Sequence, residues 1–325
     1  MEGVLLKPLG AVAAVLAIGS IVRLIGLRRS DRATVRRKLG STAVWWVLLG
    51  LLTLVVELGH LGAAILVTTL ALAALREYAP WVARRPADRV ALAMATGLIV
   101  LQGVVVLGPH PRAADWLIPV AGLAFIGSYQ AWAGETERFL RATAGIMWGL
   151  LWFGYALGHV MRFWDLPTSI LGRHGAMGWF LYVFILTQAN DIFQALIGRR
   201  FGKHAITPVV SPHKTWEGFI VGLVLTSGIS MLLAPALTVL GEGALSSPPW
   251  PGGAAVYWMS AGLGALVAVS GFAGDIVWSA AKRDVGVKDS GHLLPGQGGI
   301  IDRIDSLTMT GMVLYWVLRL AGEGM

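Results

Sequence analysis

The fold class predicted for this chain is an all-α polytopic integral membrane protein of about ten transmembrane helices with a polar site facing the cytoplasm. Three observations predict it: an apolar composition, repeated apolar runs of membrane-spanning length, and basic loops on alternate connections. Of 325 residues, 56% are hydrophobic and 14% charged, against roughly 25% charged in soluble domains. Such a composition excludes a soluble, disordered or fibrous protein. The absence of cysteine excludes disulfides and thiolate metal sites. The opening MEGVLLKPLG has one lysine, and its apolar run ends in arginines rather than a small-residue cleavage site, so it predicts a retained first helix.

A bilayer core needs about 20 apolar residues per helix. Runs of that order fall at 9–27, 42–58, 61–75, 90–108, 115–133, 142–162, 176–197, 216–240, 255–279 and 304–321. Only Glu57-Leu58-Gly59-His60 separates the second from the third, so a re-entrant hairpin is an alternative there. The loops test the count through the positive-inside bias. Stretches 28–41, 76–89, 134–141, 198–215 and 280–303 hold 20 of the 26 Lys and Arg residues, whereas the intervening loops hold Arg112 and Arg173. The formal charge of +8 therefore reads as topology rather than nucleic-acid binding. The basic loops are placed in the cytoplasm and both termini outside. The Gly-rich stretch from Gly241 to Gly253 falls on the outer side as a solvated loop. Forty-two glycines predict close helix packing, with Gly218, Gly222, Gly262 and Gly264 at interfaces. Such small-residue faces are compatible with a homodimer.

The chain divides into residues 1–180, for packing and lipid access, and residues 181–325, where ionisable groups gather. Such groups inside spans are functional candidates. Asp275, Ser279 and Lys282 share one helix face, aligning a carboxylate, a hydroxyl and an ammonium. The following loop alternates Lys282, Arg283, Lys288 and Asp289 before the glycine-rich Leu294-Pro295-Gly296-Gln297-Gly298-Gly299, and Asp302-Arg303-Ile304-Asp305 opens the last span. One helix-loop-helix hairpin brings these groups together. Carboxylates that bind a hard cation beside Lys and Arg that bind phosphate fit Mg²⁺-dependent phosphoryl or nucleotidyl transfer. A second patch holds Asn190, Asp191, Gly198-Arg199 and Ser211-Pro212-His213-Lys214-Thr215-Trp216-Glu217-Gly218. It reads either as a basic loop with a helix N-capped near Thr215 or as a phosphate-binding wall.

These residues resemble the phosphatidate cytidylyltransferase (CDP-diacylglycerol synthase) family. Its signature is matched in spacing by Ser279, Lys282-Arg283, Lys288-Asp289, Pro295, Gly298-Gly299 and Asp302-Arg303-Ile304-Asp305, preceded by Gly274-Asp275. The upstream patch resembles the family's second block, and the match covers roughly 186–310. Gln297 stands where the family carries histidine, Trp278 where better-known members carry Glu, and Ala281 is smaller than usual. Glutamine keeps hydrogen bonding but cannot carry the proton of a histidine.

The resemblance implies attack by a phosphatidic acid oxygen on the α-phosphorus of CTP, giving CDP-diacylglycerol and pyrophosphate. The expected Mg²⁺ ligands are Asp275 and Asp302, with Asp305 or Asp289 nearby and room for a second cation. Lys282, Arg283, Lys288 and Arg303 are expected to neutralise phosphates. Ser211, Lys214 and Thr215 are expected to contact nucleotide or lipid headgroup, with Asn190, Asp191, Ser279, Gln297, Gly298 and Gly299 completing the binding set. The implied location is a bacterial inner membrane, with membrane lipid as partner. Alternatives are an enzyme of another lipid or isoprenoid phosphate, a CTP-dependent lipid kinase, a transporter in which Asp191 and Asp275 line an ion path, and a non-catalytic paralogue.

Overall fold

The computed structural model describes residues 2–26, 31–172, 174–241, 253–291, 293–294 and 298–323. Arg28, Arg29, Arg173, Pro295, Gly296, Gln297 and residues 242–252 of the glycine-rich stretch lie outside the described residues, as do the side chains of Arg32, Arg36 and Arg37. Helices follow the apolar runs because a backbone in lipid must satisfy its own hydrogen bonds. They are α1 (Glu2–Gly26), α2 (Arg32–Val82), α3 (Pro86–Leu107), a rod in which α4 (Ala114–Trp116) passes through a π-wound stretch into α5 (Gly127–Trp132), and α6 (Phe139–Gly149), extended by π and 3₁₀ turns to Asp165. After the short α7 (Thr168–Leu171) come α8 (Gly175–Phe201), α9 (Trp216–Leu237), α10 (Ala254–Asp284) and α11 (Ile301–Glu323). Six described stretches are long and apolar enough to cross a membrane.

Two local features refine the expectation. Within α2, Gly59 adopts φ 60° and ψ −133°, a backbone region that glycine tolerates without strain. The bend there is sharp: a Cβ on Gly62 would lie 2.9 Å from Val55 Cα, whereas a straight helix separates residues seven apart by about 10.5 Å. The segments 42–58 and 61–75 are thus two helical pieces meeting at Gly59. The second feature is a two-stranded antiparallel hairpin in the 202–215 loop, β1 (Ala205–Thr207) and β2 (Ser211–Thr215), which the all-α reading did not include. Its strand residues Ile206, Thr207 and Thr215 are β-branched, and that stiffness suits strands better than helices.

The C-terminal helices form a consecutive bundle, α8 against α9, α9 against α10 and α10 against α11. Apolar burial drives little association between helices already in lipid, so close packing and interhelical hydrogen bonds matter more. Tyr182 Oη lies 2.7 Å from Ser230 Oγ, and Thr187 Oγ1 lies 2.9 Å from Thr310 Oγ1. Such bonds contribute on the order of 0.6 kcal/mol each. The expected glycine contacts hold at three positions: a Cβ on Gly218 would come within 2.8 Å of Gln194 O, on Gly222 within 2.6 Å of Gln194 Cγ, and on Gly264 within 2.6 Å of Ser230 Cβ. Gly262 departs from the expectation, because it faces open space. Interface glycines share a face with their neighbours at helical spacing, and position 262 falls on the opposite side of α10.

Contacts sort the loops to two ends. At one end Glu77 of α2 reaches the start of α11, Arg283 of α10 reaches Val210 of the hairpin, and Arg85 holds the carbonyls of Glu135 and Glu137. The loops 83–85, 133–138 and 202–215 and the described residues 285–291 and 298–300 therefore share one end, as their common basicity predicts. At the other end Arg319 of α11 meets Asp115 of α4, and Arg162 meets both Asp115 and Asp165.

Candidate active site

The polar residues of the basic end fall into two adjacent clusters. The first joins α8, β2, α10 and α11. Lys214, at the end of β2, forms an ion pair with Asp275 of α10, while Ser279 Oγ donates to Asp275 Oδ1 at 3.3 Å. Asp191 Oδ1 accepts the Ser306 hydroxyl at 3.1 Å, and Asp305 Oδ1 accepts the Ser306 N–H at 2.7 Å. Asp191, Asp275 and Asp305 act on one another and on Lys214 electrostatically. Burial disfavours the charged form of Lys214, but the carboxylates of Asp275 and Asp191 outweigh that cost and hold its ammonium above the ordinary lysine range. Phe272 adds a ring face 5.8 Å from Lys214 Nζ. The three carboxylates share the field of Lys214, and Arg303 and Lys282 act on Asp191 and Asp305 as well.

The second cluster surrounds Asp302 in the first turn of α11. Lys282 Nζ donates to Asp302 Oδ1 at 2.7 Å, and Asp302 Oδ2 accepts from Ser290 N, Ser290 Oγ and Gly299 N, each at 3.0 Å. Lys282 thus crosses to α11 instead of completing the 275–279 stripe, because its long chain reaches the more deeply placed Asp302 while Lys214 takes Asp275. Glu77 belongs to this cluster too, accepting from Ile300 N at 3.0 Å, Ile301 N at 3.2 Å and Ser290 Oγ at 3.2 Å. It escapes a reading of the sequence because it stands beside Arg76 at the end of an apolar run, where a charge looks like the start of a loop. The only signal was a carboxylate within helical reach of that run.

Other predicted site residues are placed as follows. Asn190 is fully buried; its Oδ1 accepts from Gln194 at 3.0 Å and Thr226 at 3.2 Å, joining α8 to α9, while its Nδ2 has no hydrogen-bond partner among the described residues. Thr215 caps α9 by accepting Gly218 N at 3.2 Å, which is the first of the two readings open for that loop. Ser211 starts β2 and pairs with Thr207. Arg283 donates to the carbonyls of Val210 and Val287, bracing the loop. Lys288 and Asp289 are exposed at its tip, and Arg303 is half-buried with interactions of its own. Gly298 has φ +85°, and a Cβ there would stand 2.7 Å from Asp302 Oδ2, so the turn needs glycine. Gln297 lies outside the described residues. Trp278 is fully buried against Tyr78, Trp81, Trp152 and Phe153, so this position serves packing between α2, α6 and α10.

Gly274 lets α10 approach α11 within the first cluster: a Cβ there would lie 2.5 Å from Asp305 O. Gly274→Ala is expected to push α10 from α11, costing about 1–3 kcal/mol as overpacking does and at least tenfold in turnover, read from thermal stability and initial rate of the purified variant.

The Cytidylyltransferase family profile matches residues 41–321. The chain belongs to that family. Its relatives include an uncharacterized protein, YnbB, of Escherichia coli (strain K12), 39% identical over 202 residues that make up 62% of each chain. Phosphatidate cytidylyltransferase of Mycobacterium leprae (strain TN) is 36% identical over 69% of this chain and 80% of its own. Phosphatidate cytidylyltransferase 4, chloroplastic, of Arabidopsis thaliana is 42% identical over 70% of this chain and 52% of its own. The chain spans about half to three fifths of the length of most of these curated relatives. The matched region includes both clusters and Glu77.

Proposed function

We propose that this protein is a CTP:phosphatidate cytidylyltransferase, a membrane nucleotidyltransferase that makes CDP-diacylglycerol for phospholipid synthesis. The observation that carries this reading is the convergence of Asp191, Asp275 and Asp305 from three helices upon Lys214, beside the Lys282–Asp302 pair, in a chain of this family. In the reaction a phosphatidate oxygen bonds to the α-phosphorus of CTP while the bond to the bridging oxygen of the β-phosphate breaks, releasing pyrophosphate. That nucleophile is already ionised and needs little base catalysis, so the protein's task is alignment and charge screening.

The all-oxygen donor set of the first cluster, three carboxylates with the Ser279 and Ser306 hydroxyls beside them, fits a hard divalent cation such as Mg²⁺. Among the described residues no preformed group of three such ligands stands ready, so binding involves adjustment of Lys214. Asp275 and Asp305, with Asp191, would hold the ion, which supplies charge neutralisation at phosphate oxygens. Asp302 already accepts four hydrogen bonds and would order the loop, entering the ligand shell only if Lys282 moves. Lys214, Lys282, Lys288 and Arg303 would meet the triphosphate and lipid phosphate. The ten helical segments are read as crossings of a bacterial inner membrane, with the basic end cytoplasmic and residues 1–180 lining lipid access. A homodimer belongs to the same reading.

The test is pyrophosphate release by detergent-purified protein given CTP, phosphatidic acid and Mg²⁺. Turnover should require both substrates and fall below a hundredth on chelation by EDTA, returning with Mg²⁺. Release with another lipid phosphate but not with phosphatidate would favour a different acceptor, the reading that Gln297 motivates; no release with any acceptor from folded protein would overturn the proposal.

A further inference from the structure

We propose that Glu77 is a positioning residue for the loop and helix that carry Asp302 and Asp305, and so sets how well the site holds a divalent cation. The proposal rests on the cytidylyltransferase reading for its activity arm alone. Glu77 lies on α2, more than two hundred residues from its partners, yet its carboxylate satisfies two amides at the start of α11 and the Ser290 hydroxyl. A helix start has amides without intrahelical partners and a partial positive charge, and a carboxylate accepting several such bonds makes charge-assisted contacts stronger than neutral ones. Here the cap comes from a different helix, so α2 and the start of α11 are tied together.

The loop is shaped around this carboxylate. A Cβ on Gly291 would lie 2.7 Å from Glu77 Oε1, and one on Gly299 would collide with Glu77 Oε2 and Ser290 Oγ. Glycine at both positions thus admits Glu77, a task for Gly299 separate from substrate contact. Ser290 supplies the second argument. Its hydroxyl has one hydrogen but two carboxylate acceptors, Glu77 Oε2 at 3.2 Å and Asp302 Oδ2 at 3.0 Å. If Asp302 turns toward a cation or a phosphate-bound lysine, the hydroxyl can pass to Glu77. The loop then stays ordered while Asp302 is released.

The experiment compares wild type, Glu77→Gln and Glu77→Asp in detergent by hydrogen–deuterium exchange of the 290–301 region, Mg²⁺ dependence of turnover, and thermal midpoint. Glu77→Gln should speed exchange of the Ile300 and Ile301 amides at least tenfold and raise the Mg²⁺ concentration for half-maximal activity at least fivefold. Exchange elsewhere and the thermal midpoint should stay close to wild type, and Glu77→Asp should recover part of both effects. A variant that melts earlier with unchanged Mg²⁺ dependence shows a structural carboxylate only and overturns the proposal, as does unchanged exchange at 300–301. If wild type turns over no lipid phosphate, the functional reading fails while the exchange data still judge the Glu77 contacts.

Discussion

Asp275→Asn is expected to lower cytidylyl transfer by about 10³-fold while leaving the protein folded, a loss equivalent to roughly 4 kcal/mol of transition-state stabilisation. The substitution keeps shape and hydrogen bonding but removes one of three carboxylates around Lys214. Two consequences follow. The first cluster loses the charge that makes it attractive to a divalent cation, and the ammonium shifts toward Asp191 and Asp305. The fold should survive because Asp275 is partly exposed, with 22% of its side-chain surface open, and Ser279 can still donate to the amide oxygen. Lys214→Met provides the contrast: it removes the ammonium paired with Asp275 and keeps all three carboxylates, so metal affinity should rise while turnover falls. Mn²⁺ binding followed by electron paramagnetic resonance, beside pyrophosphate release, separates the two variants. Wild-type-like turnover in Asp275→Asn would remove the first cluster from the chemistry.

The apolar runs made the helices legible, because length and composition suffice where the solvent is lipid. The carboxylates of the signature were legible as a group, since charge inside apolar segments stands out. Their partners were harder to read. Spacing along α10 aligned Lys282 with Asp275, but the chain satisfies Asp275 from β2 and sends Lys282 to Asp302. Such a choice depends on how two helices cross and on where a loop returns, and no periodicity encodes either. Glu77 shows the same limit over a longer range: its position in sequence says nothing of a cap on a helix begun at residue 301. Neighbours in sequence also part company: one step along a helix turns a side chain by about 100°, which sends the Asn190 oxygen to Gln194 and Thr226 and Asp191 to Ser306.

Asp115→Asn, far from the site, is expected to have the largest effect on stability of any substitution considered. Arg162 has no exposed side-chain surface and bonds to Asp115 and, at 3.1 Å, to Asp165; Arg319 donates to Asp115 at 2.9 Å and stacks near Tyr315 and Trp316. Asp115 thus answers two arginines from two separate elements, the end of the α6 rod and α11. Asp115→Asn leaves buried Arg162 with Asp165 alone and Arg319 with the exposed Glu323, and loss of a buried ion-pair partner costs up to about 3–5 kcal/mol. The neutral amide should therefore lower the detergent-solubilised protein's thermal midpoint sharply. Arg319→Gln should cost less, because Asp115 keeps Arg162 and the exposed Glu323 loses only a surface partner. The order of the two effects is the informative result. A loss confined to Asp115→Asn places the function of this network in fastening the end of α11 remote from Asp302 and Asp305, whereas equal and small losses would show that the arginines find water or lipid phosphate instead.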